Sequence, residues 1–395
     1  MTIAFFSDSY TPYVSGVVQS IRLTARALTR LGHQVIVVAP AYPSHDAHQP
    51  DETGALVLRL PSVPAPGQPV FRIPLPWRRA LRPLLGRRLD VVHAHSPFLT
   101  GGLARWMARR HRAPLLFTHH TLYHEYAHYG LLPAWALVPT ILRRVGAFCR
   151  AVDCVVAPTP SIAALLPRLY GSTASVEVIP TGLELRAFRE ADPTWLRQAL
   201  AIPADAPVVL HVGRLAREKN ILVLMQALRH ILDEMASAHA VVVGGGPFLA
   251  QLHRAASEPP FAGRLHVVGP VPPHAVPRYM AGASLFLTAS TTETQGLVAV
   301  EAMAAGLPVV APRAGGLPDV VTDAQQGWLT EPAAVPLARA ALRLLADAST
   351  CREMAHRARQ RAADFDVETT TRRLLALYET LRTGPLTASP TRQGP

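Results

Sequence analysis

The chain has 395 residues, 49% of them hydrophobic and 17% charged, with a net charge of +12 from 39 basic and 27 acidic residues. That length and apolar content call for two packed cores and exclude a disordered chain, while no apolar run reaches the roughly 18–20 residues that span a bilayer. The start, Met1 to Phe6, carries no basic region and no small-residue cleavage site, so a cytoplasmic protein is expected.

Cys149, Cys154 and Cys351 fall outside any close Cys-x-x-Cys spacing and read as small core residues in a reducing compartment. Charge is unevenly shared. Residues 1–182 hold 18 Arg and no Lys against 8 acids, and residues 183–395 hold 20 Arg and one Lys against 19 acids. A basic half beside a near-neutral one points to an anionic partner, nucleic acid or an anionic membrane surface. No nucleic-acid module is recognisable, so the membrane surface is the expected partner and nucleic acid is not.

Ile3 to Ser7 reads as a strand, followed by a loop from Asp8, a helical period through Leu31 and a Gly32-His33 stop. Gly16 opens that helix, where a backbone can approach phosphate or sugar. Gln34 to Ala39 is the next strand, and the alternation of short apolar runs with amphipathic segments predicts a parallel, doubly wound sheet. Ligands of such sheets sit beyond the carboxyl ends of the strands. Residues 70–88 mix Phe71, Trp77 and leucines with Arg72, Arg78, Arg79, Arg82, Arg87 and Arg88, a composition suited either to a membrane interface or to a surface loop and helix with snorkelling arginines.

Asp90 to Phe98 and Pro114 to Thr121 are strands running into polar loops on the ligand side. The second loop holds His119 and His120, then His124-Glu125-Tyr126-Ala127-His128, the letters of a zinc peptidase. The extended zinc pattern fails at position 131, a leucine, and no metal is expected. Val152 to Pro158 and Val176 to Pro180 add strands, and residues 183–206, with Pro193 and Pro203 around a short helix, mark a linker.

A second run of strand-helix units opens at Pro207 and reaches Gly213-Arg214 and Lys219-Asn220. Lys219 is the single lysine beside 38 arginines, which suggests a site needing a compact ammonium. Val241 to Val243 leads into Gly244-Gly245-Gly246, which fails the dinucleotide pattern because Leu249 stands where a third glycine belongs. Ala283 to Ala289 is a buried strand, and the helix after it has Thr291, Thr292 and Thr294 as possible caps and Gly296 at its start, an anion site. Glu293 and Glu301 flank that start, too far apart for a general acid/base couple. Pro308 to Ala311, a helix from Ala334, a last helix near Thr369 to Leu381 and a Pro-, Thr- and Gly-rich tail complete the chain.

Glu293 and Glu301 match the E-x7-E signature of retaining glycosyltransferases of family 4, and Gly213-Arg214 with Lys219-Asn220 matches that family's G-R-x-x-x-x-K-N element. The run His120-Thr121-x-Tyr123-x-x-Tyr126-x-His128-Tyr129 resembles the acceptor loop of its glycolipid-forming members, in particular diacylglycerol glucosyltransferases. One departure is His124, where the related loop often has an acid. The resemblance implies an α/β GT-B fold, two Rossmann-like doubly wound parallel-sheet domains facing a central cleft. Residues 1–182 would bind the acceptor, 183–206 link, 207–366 bind the nucleotide sugar, 367–383 cross back to the first domain, and 384–395 form a disordered tail.

The implied reaction moves a hexose, with retention, from a nucleoside diphosphate sugar, UDP-glucose by expectation, to a lipid hydroxyl, 1,2-diacylglycerol by expectation, at the inner face of the cell membrane. Glu293 and His120 would meet the sugar, Arg214, Lys219 and the N–H groups of Gly296 and Leu297 the diphosphate, and Glu301 the ribose. Gly244 would lie near the nucleotide, Val271 at the base, and Gly16 would give ligand access to the first domain's backbone. Two fixed cations stand in for a divalent metal, in keeping with the missing Asp-x-Asp motif. The alternatives are a mannosyl- or galactosyltransferase with another lipid or a soluble acceptor, a zinc peptidase, and a non-catalytic lipid-binding scaffold.

Overall fold

A computed structural model describes residues 1–43, 48–66, 68–129, 133–171 and 174–384. The chain divides into two compact units, Met1–Leu183 together with Val367–Pro395, and Glu184–Asp366. The tail expected to be disordered lies, apart from Gly384, outside the described residues.

The strands of the first unit are β1 (Thr2–Phe6), β2 (Gln34–Pro40), β3 (Gln49–Pro50), β4 (Leu56–Leu60), β5 (Ser62–Ala65), β6 (Gln68–Pro74), β7 (Val91–Ala94), β8 (Leu115–Thr118), β9 (Cys154–Ala157) and β10 (Ser175–Val178). Among the described residues they build an eight-stranded sheet in the order β10-β9-β8-β7-β1-β2-β4-β3, with β5 and β6 paired apart from it. Pairing is parallel except for the short β3 against β4. Because side chains alternate along a strand, Ile3 and Phe5 join one core and Ala4 and Phe6 the other. Both faces are therefore covered, and the strands read as continuous apolar runs.

The helix Gly16–Arg30 starts at Ser15, whose hydroxyl accepts from Val18 N at 3.2 Å, and buries Val18, Ile21, Ala25 and Leu28 at helical spacing. The last helix, Val367–Thr383, belongs to this same unit and places Leu374 and Tyr378 in the core with Ile3 and Phe5. A glycine is required where it docks, since a Cβ on Gly182 would stand 2.1 Å from Thr370 Oγ1. Within residues 70–88 the surface loop and helix of the sequence reading is in part a strand. Antiparallel pairing of β5 with β6, fixed by Arg72 Nη2 donating to the Ser62 carbonyl at 2.7 Å, makes a hairpin before the short helices Arg78–Leu81 and Arg82–Leu85.

The second unit carries β11 (Val208–Val212), β12 (His239–Val243), β13 (Leu265–Gly269), β14 (Leu285–Leu287), β15 (Val309–Pro312) and β16 (Gly327–Thr330), all parallel, in the order β13-β12-β11-β14-β15-β16. The helices Ile221–Glu234 and Ala334–Ala346 cover one face with Leu224, Leu228, Leu337 and Ala341. The stretch 183–206, read from its prolines as a linker, is instead mostly part of this unit from Glu184 onward. Leu196 is fully buried and packs where a Cβ on Gly282 would come within 2.5 Å of it.

Candidate functional site

In an open parallel sheet the crevice for a ligand opens where neighbouring strands send their connections to opposite sides. In the second unit that point lies between β11 and β14. The loop after β11 brings Arg214 and Lys219, the loop after β14 brings Glu293, and the two loops meet. Lys219 Nζ donates to Glu293 Oε1 at 2.5 Å although the residues are 74 apart in sequence. Burial pushes the Glu293 carboxyl up, but the Lys219 ammonium and its hydrogen bond outweigh this and leave it below the usual range. The carboxylate is thus ionised and held on the cation.

Arg214 Nη1 lies 3.6 Å from Glu218 Oε1, with the Glu218 side chain buried and the guanidinium partly open to solvent. A Gly-Gly turn after β15 grips Glu293 from behind, Gly316 N donating to its carbonyl at 2.8 Å. A Cβ on Gly315 would stand 2.3 Å from that same carbonyl oxygen.

Gly296 begins the helix Leu297–Ala305 in the left-handed region, φ +82°, and a Cβ there would meet Leu317 Cδ2 at 2.7 Å. Among the described residues no side chain caps this helix, and one of the threonines expected to do so has another use: Thr292 Oγ1 donates to the Glu218 carbonyl at 3.0 Å, tying the β14 loop to the β11 loop. The first N–H groups of any helix lack intrahelical acceptors, and here they begin at Leu297 beside the Lys219–Glu293 pair. One turn on, half-buried Glu301 makes no side-chain hydrogen bond or ion pair among the described residues, and burial alone pushes its carboxyl up to about 8.

Gly244 follows β12 with φ +145°, and a Cβ would lie 1.8 Å from the Gly213 carbonyl oxygen, so the two loops pass at backbone distance. Val271 follows β13 at the same edge of the sheet. His211, which the sequence reading passed over, is buried on β11 with Nδ1 against the Leu287 carbonyl at 2.9 Å. Burial takes its imidazolium down to about 4. A histidine in an otherwise apolar strand, two residues before Gly213-Arg214, was the available signal.

The corresponding point of the first unit lies between β1 and β7. Asp8, just after β1, accepts from Thr100 N at 2.9 Å and Thr100 Oγ1 at 2.7 Å, and its own N–H donates to Ser96 Oγ at 3.1 Å. Gly16 is exposed at the start of the first helix. After β8 the two adjacent histidines part company. His119 is fully buried, 3.0 Å from Tyr170 Oη, whereas His120 is half-buried with Nε2 2.9 Å from His95 Nδ1. Burial lowers the His120 imidazolium to about 3, so the ring is neutral.

The segment Tyr123–Tyr129, which holds the His-Glu-x-x-His letters, is a 3₁₀ helix, in which positions three apart eclipse. Among the described residues no group of three His, Cys, Asp or Glu is placed to hold a metal ion.

Sequence models of two families match the chain, "Glycosyltransferase Family 4" over residues 14–187 and "Glycosyl transferases group 1" over residues 194–361. Alpha-monoglucosyldiacylglycerol synthase of Streptococcus pneumoniae is 31% identical over 338 residues, 83% of this chain and 75% of that one. The protein of the same description from Acholeplasma laidlawii is 32% identical over 322 residues, 78% of this chain and 80% of that one. The crystal structure of Anabaena HepE in complex with UDP superposes with a TM-score of 0.78 at 22% identity, covering 96% of this chain and 100% of that chain.

Proposed function

The chain belongs to glycosyltransferase family 4 and has its GT-B architecture, and from that premise we propose that it transfers glucose from UDP-glucose to the free hydroxyl of 1,2-diacylglycerol with retention of configuration. The observation that carries this is the meeting of Lys219, Glu293 and the Gly296 helix start at one switch point, with the half-buried Glu301 carboxyl one turn further along. Glu293, then Lys219 with the helix N-terminus, then Glu301 suit in turn the sugar, the diphosphate and the ribose of such a donor.

In this reading Arg214, Lys219 and the N–H groups of Gly296 and Leu297 take up the charge of the departing diphosphate. Glu301 accepts from the ribose hydroxyls. Glu293 turns from Lys219 to the hexose as Lys219 engages phosphate, and His120, on the ligand side of the first unit's sheet, serves the transfer reaction. Gly244 and Val271 line the nucleotide's path, and Gly16 gives backbone access at the acceptor side. The C1–O bond to phosphate breaks, the bond from C1 to the acceptor oxygen forms on the same face, and a phosphate oxygen takes the acceptor's proton. No divalent metal is needed, because fixed cations occupy its electrostatic role.

The lipid acceptor is supported by the two synthases above and by the first 182 residues, with 18 Arg against 8 acids. Apolar groups stand exposed among those arginines, Val70 at 71%, Trp77 at 52% and Trp135 at 81%, a pairing that suits peripheral attachment to an anionic leaflet. Among the described residues no helix is long and apolar enough to cross a membrane.

The test offers UDP-glucose, UDP-galactose and GDP-mannose separately, with anionic liposomes containing diacylglycerol and with EDTA in one arm, and analyses the extracted lipid by mass spectrometry. Glucosyl-diacylglycerol from UDP-glucose alone, undiminished by EDTA, is the expected product. A different hexose on the lipid overturns the donor, a sugar transferred only to a soluble acceptor overturns the lipid, and loss with EDTA overturns metal independence.

A further inference from the structure

We propose that His95 is a positioning residue that holds His120 in the tautomer carrying its proton on Nδ1. The proposal rests on the reading that His120 serves the transfer reaction, and it adds the group that decides what His120 offers there.

His95 Nδ1 and His120 Nε2 are 2.9 Å apart, and the ring planes differ by only 20° with centroids 5.2 Å apart. The centroid separation exceeds the N···N distance by about the two ring radii, so the rings lie end to end and a lone pair on one nitrogen faces an N–H on the other. This is an in-plane hydrogen bond. Burial keeps both rings neutral, so one proton lies between them and each ring carries its single N–H on a definite nitrogen.

Which ring donates follows from the other end of His95. Its Nε2 is buried and has no hydrogen-bond partner among the described residues. If His120 were the donor, His95 would need its own proton on that Nε2, a buried N–H with nothing to receive it. Orphaned buried donors are rarer in folded proteins than unfilled acceptor lone pairs. With His95 donating from Nδ1, the unfilled position is only a lone pair, and His120, accepting at Nε2, carries its proton on Nδ1. His120 Nδ1 is then a donor, the kind of group a sugar oxygen accepts from, and not a basic lone pair.

The geometry is held from several sides. The His95 ring stacks on His93 at 4.4 Å, meets the Phe5 ring edge-on at 4.8 Å, and its backbone N–H donates to the Phe6 carbonyl at 2.8 Å. His93 is itself locked between Thr118 Oγ1 at 2.7 Å and Tyr378 Oη at 2.6 Å. His95 therefore cannot swing away without displacing a buried, doubly bonded neighbour, and the tautomer of His120 is fixed from strands β1 and β7 and from the last helix.

The test is long-range ¹H–¹⁵N correlation of the imidazoles in the full-length protein, which reads the tautomer without any substrate, paired with transfer kinetics. His120 is expected as Nδ1–H in the wild-type protein. In His95→Leu it shifts toward Nε2–H and kcat falls about 10–100-fold, the range seen when an orienting partner is lost, with UDP binding unchanged. His95→Asn, whose amide N–H can stand where Nδ1–H stood, keeps the tautomer and most of the rate, and guards against a variant that merely fails to fold. Nε2–H on His120 in the wild-type protein, or an unchanged tautomer in His95→Leu, overturns the proposal. A shifted tautomer with unchanged transfer supports the hydrogen bond and removes His120 from the reaction, which is a failure of the functional reading and not of this one.

Discussion

Glu301 makes nucleotide-sugar binding depend on pH. Among the described residues its carboxyl has no hydrogen-bond or ion-pair partner, and burial pushes it up to about 8, against 4.5 for the free group. At pH 7 about one such carboxyl in ten is ionised, and ionising it costs about 1.4 kcal/mol for each unit by which the pH lies below the pKa. Ribose hydroxyls donate to a carboxylate far better than to a neutral acid, so the bound state prefers the ionised form and binding releases a proton. The affinity for UDP-glucose should therefore rise about tenfold per unit between pH 6 and 8 and level off above. UDP-glucose is the right probe because its diphosphate, esterified at both ends, does not titrate in this range. Isothermal titration calorimetry in two buffers of different ionisation enthalpy reads both the slope and the proton released, and Glu301→Gln should abolish both. A dissociation constant that is flat from pH 6 to 8, or a slope that survives in Glu301→Gln, refutes the reasoning. The opposite sign applies to the stability of the empty protein, which should fall as pH rises between about 4.5 and 8, because the folded state holds this proton longer than the unfolded one.

Lys219→Met should lower transfer by at least about 100-fold, the scale of losing one charge-stabilising group, and let the Glu293 carboxyl titrate higher, visible as a new acidic limb in the pH–rate profile. Lys219→Arg should not restore the rate, since a planar fork cannot replace a point cation beside Glu293. Gly244→Ala sets a Cβ against the Gly213 carbonyl and should destabilise the protein by about 1–3 kcal/mol, the usual scale for backbone strain, in urea unfolding. Tyr378→Phe removes the hydroxyl from buried His93 Nδ1 and should cost about 1–3 kcal/mol, measured the same way.

The alternation of apolar runs with amphipathic segments was enough to predict two parallel sheets, because covered strands must be apolar on both sides. Strand order was not legible. Lys219 and Glu293 follow strands that are not consecutive, and they meet only because β14 pairs directly with β11, leaving β12 and β13 on the far side. Assigned separately to phosphate and to sugar, the two proved to be one ion pair. His119 and His120 could not be told apart for a related reason. They point to opposite faces, but His119 follows Phe117 and His120 follows Leu116 and Thr118, and both faces are buried, so period-2 reasoning had no polar side to choose. Prolines misled at 183–206, where they shape short turns packed on the second unit. Threonines misled at 291–294, where the helix starts instead at a glycine in the left-handed region, which has no side chain to cap the first N–H groups.

The helix Val367–Thr383 is made after both sheets, yet its Leu374 and Tyr378 belong to the core begun by Ile3 and Phe5. Domains usually fold in the order in which they leave the ribosome. Here Glu184–Asp366 is complete in sequence before the first unit has received its final segment. The first-made strands must wait, with part of one sheet face uncovered, until the whole of the second unit has been translated. The hazard of synthesis therefore falls on the first unit, whose core waits longest for its last segment.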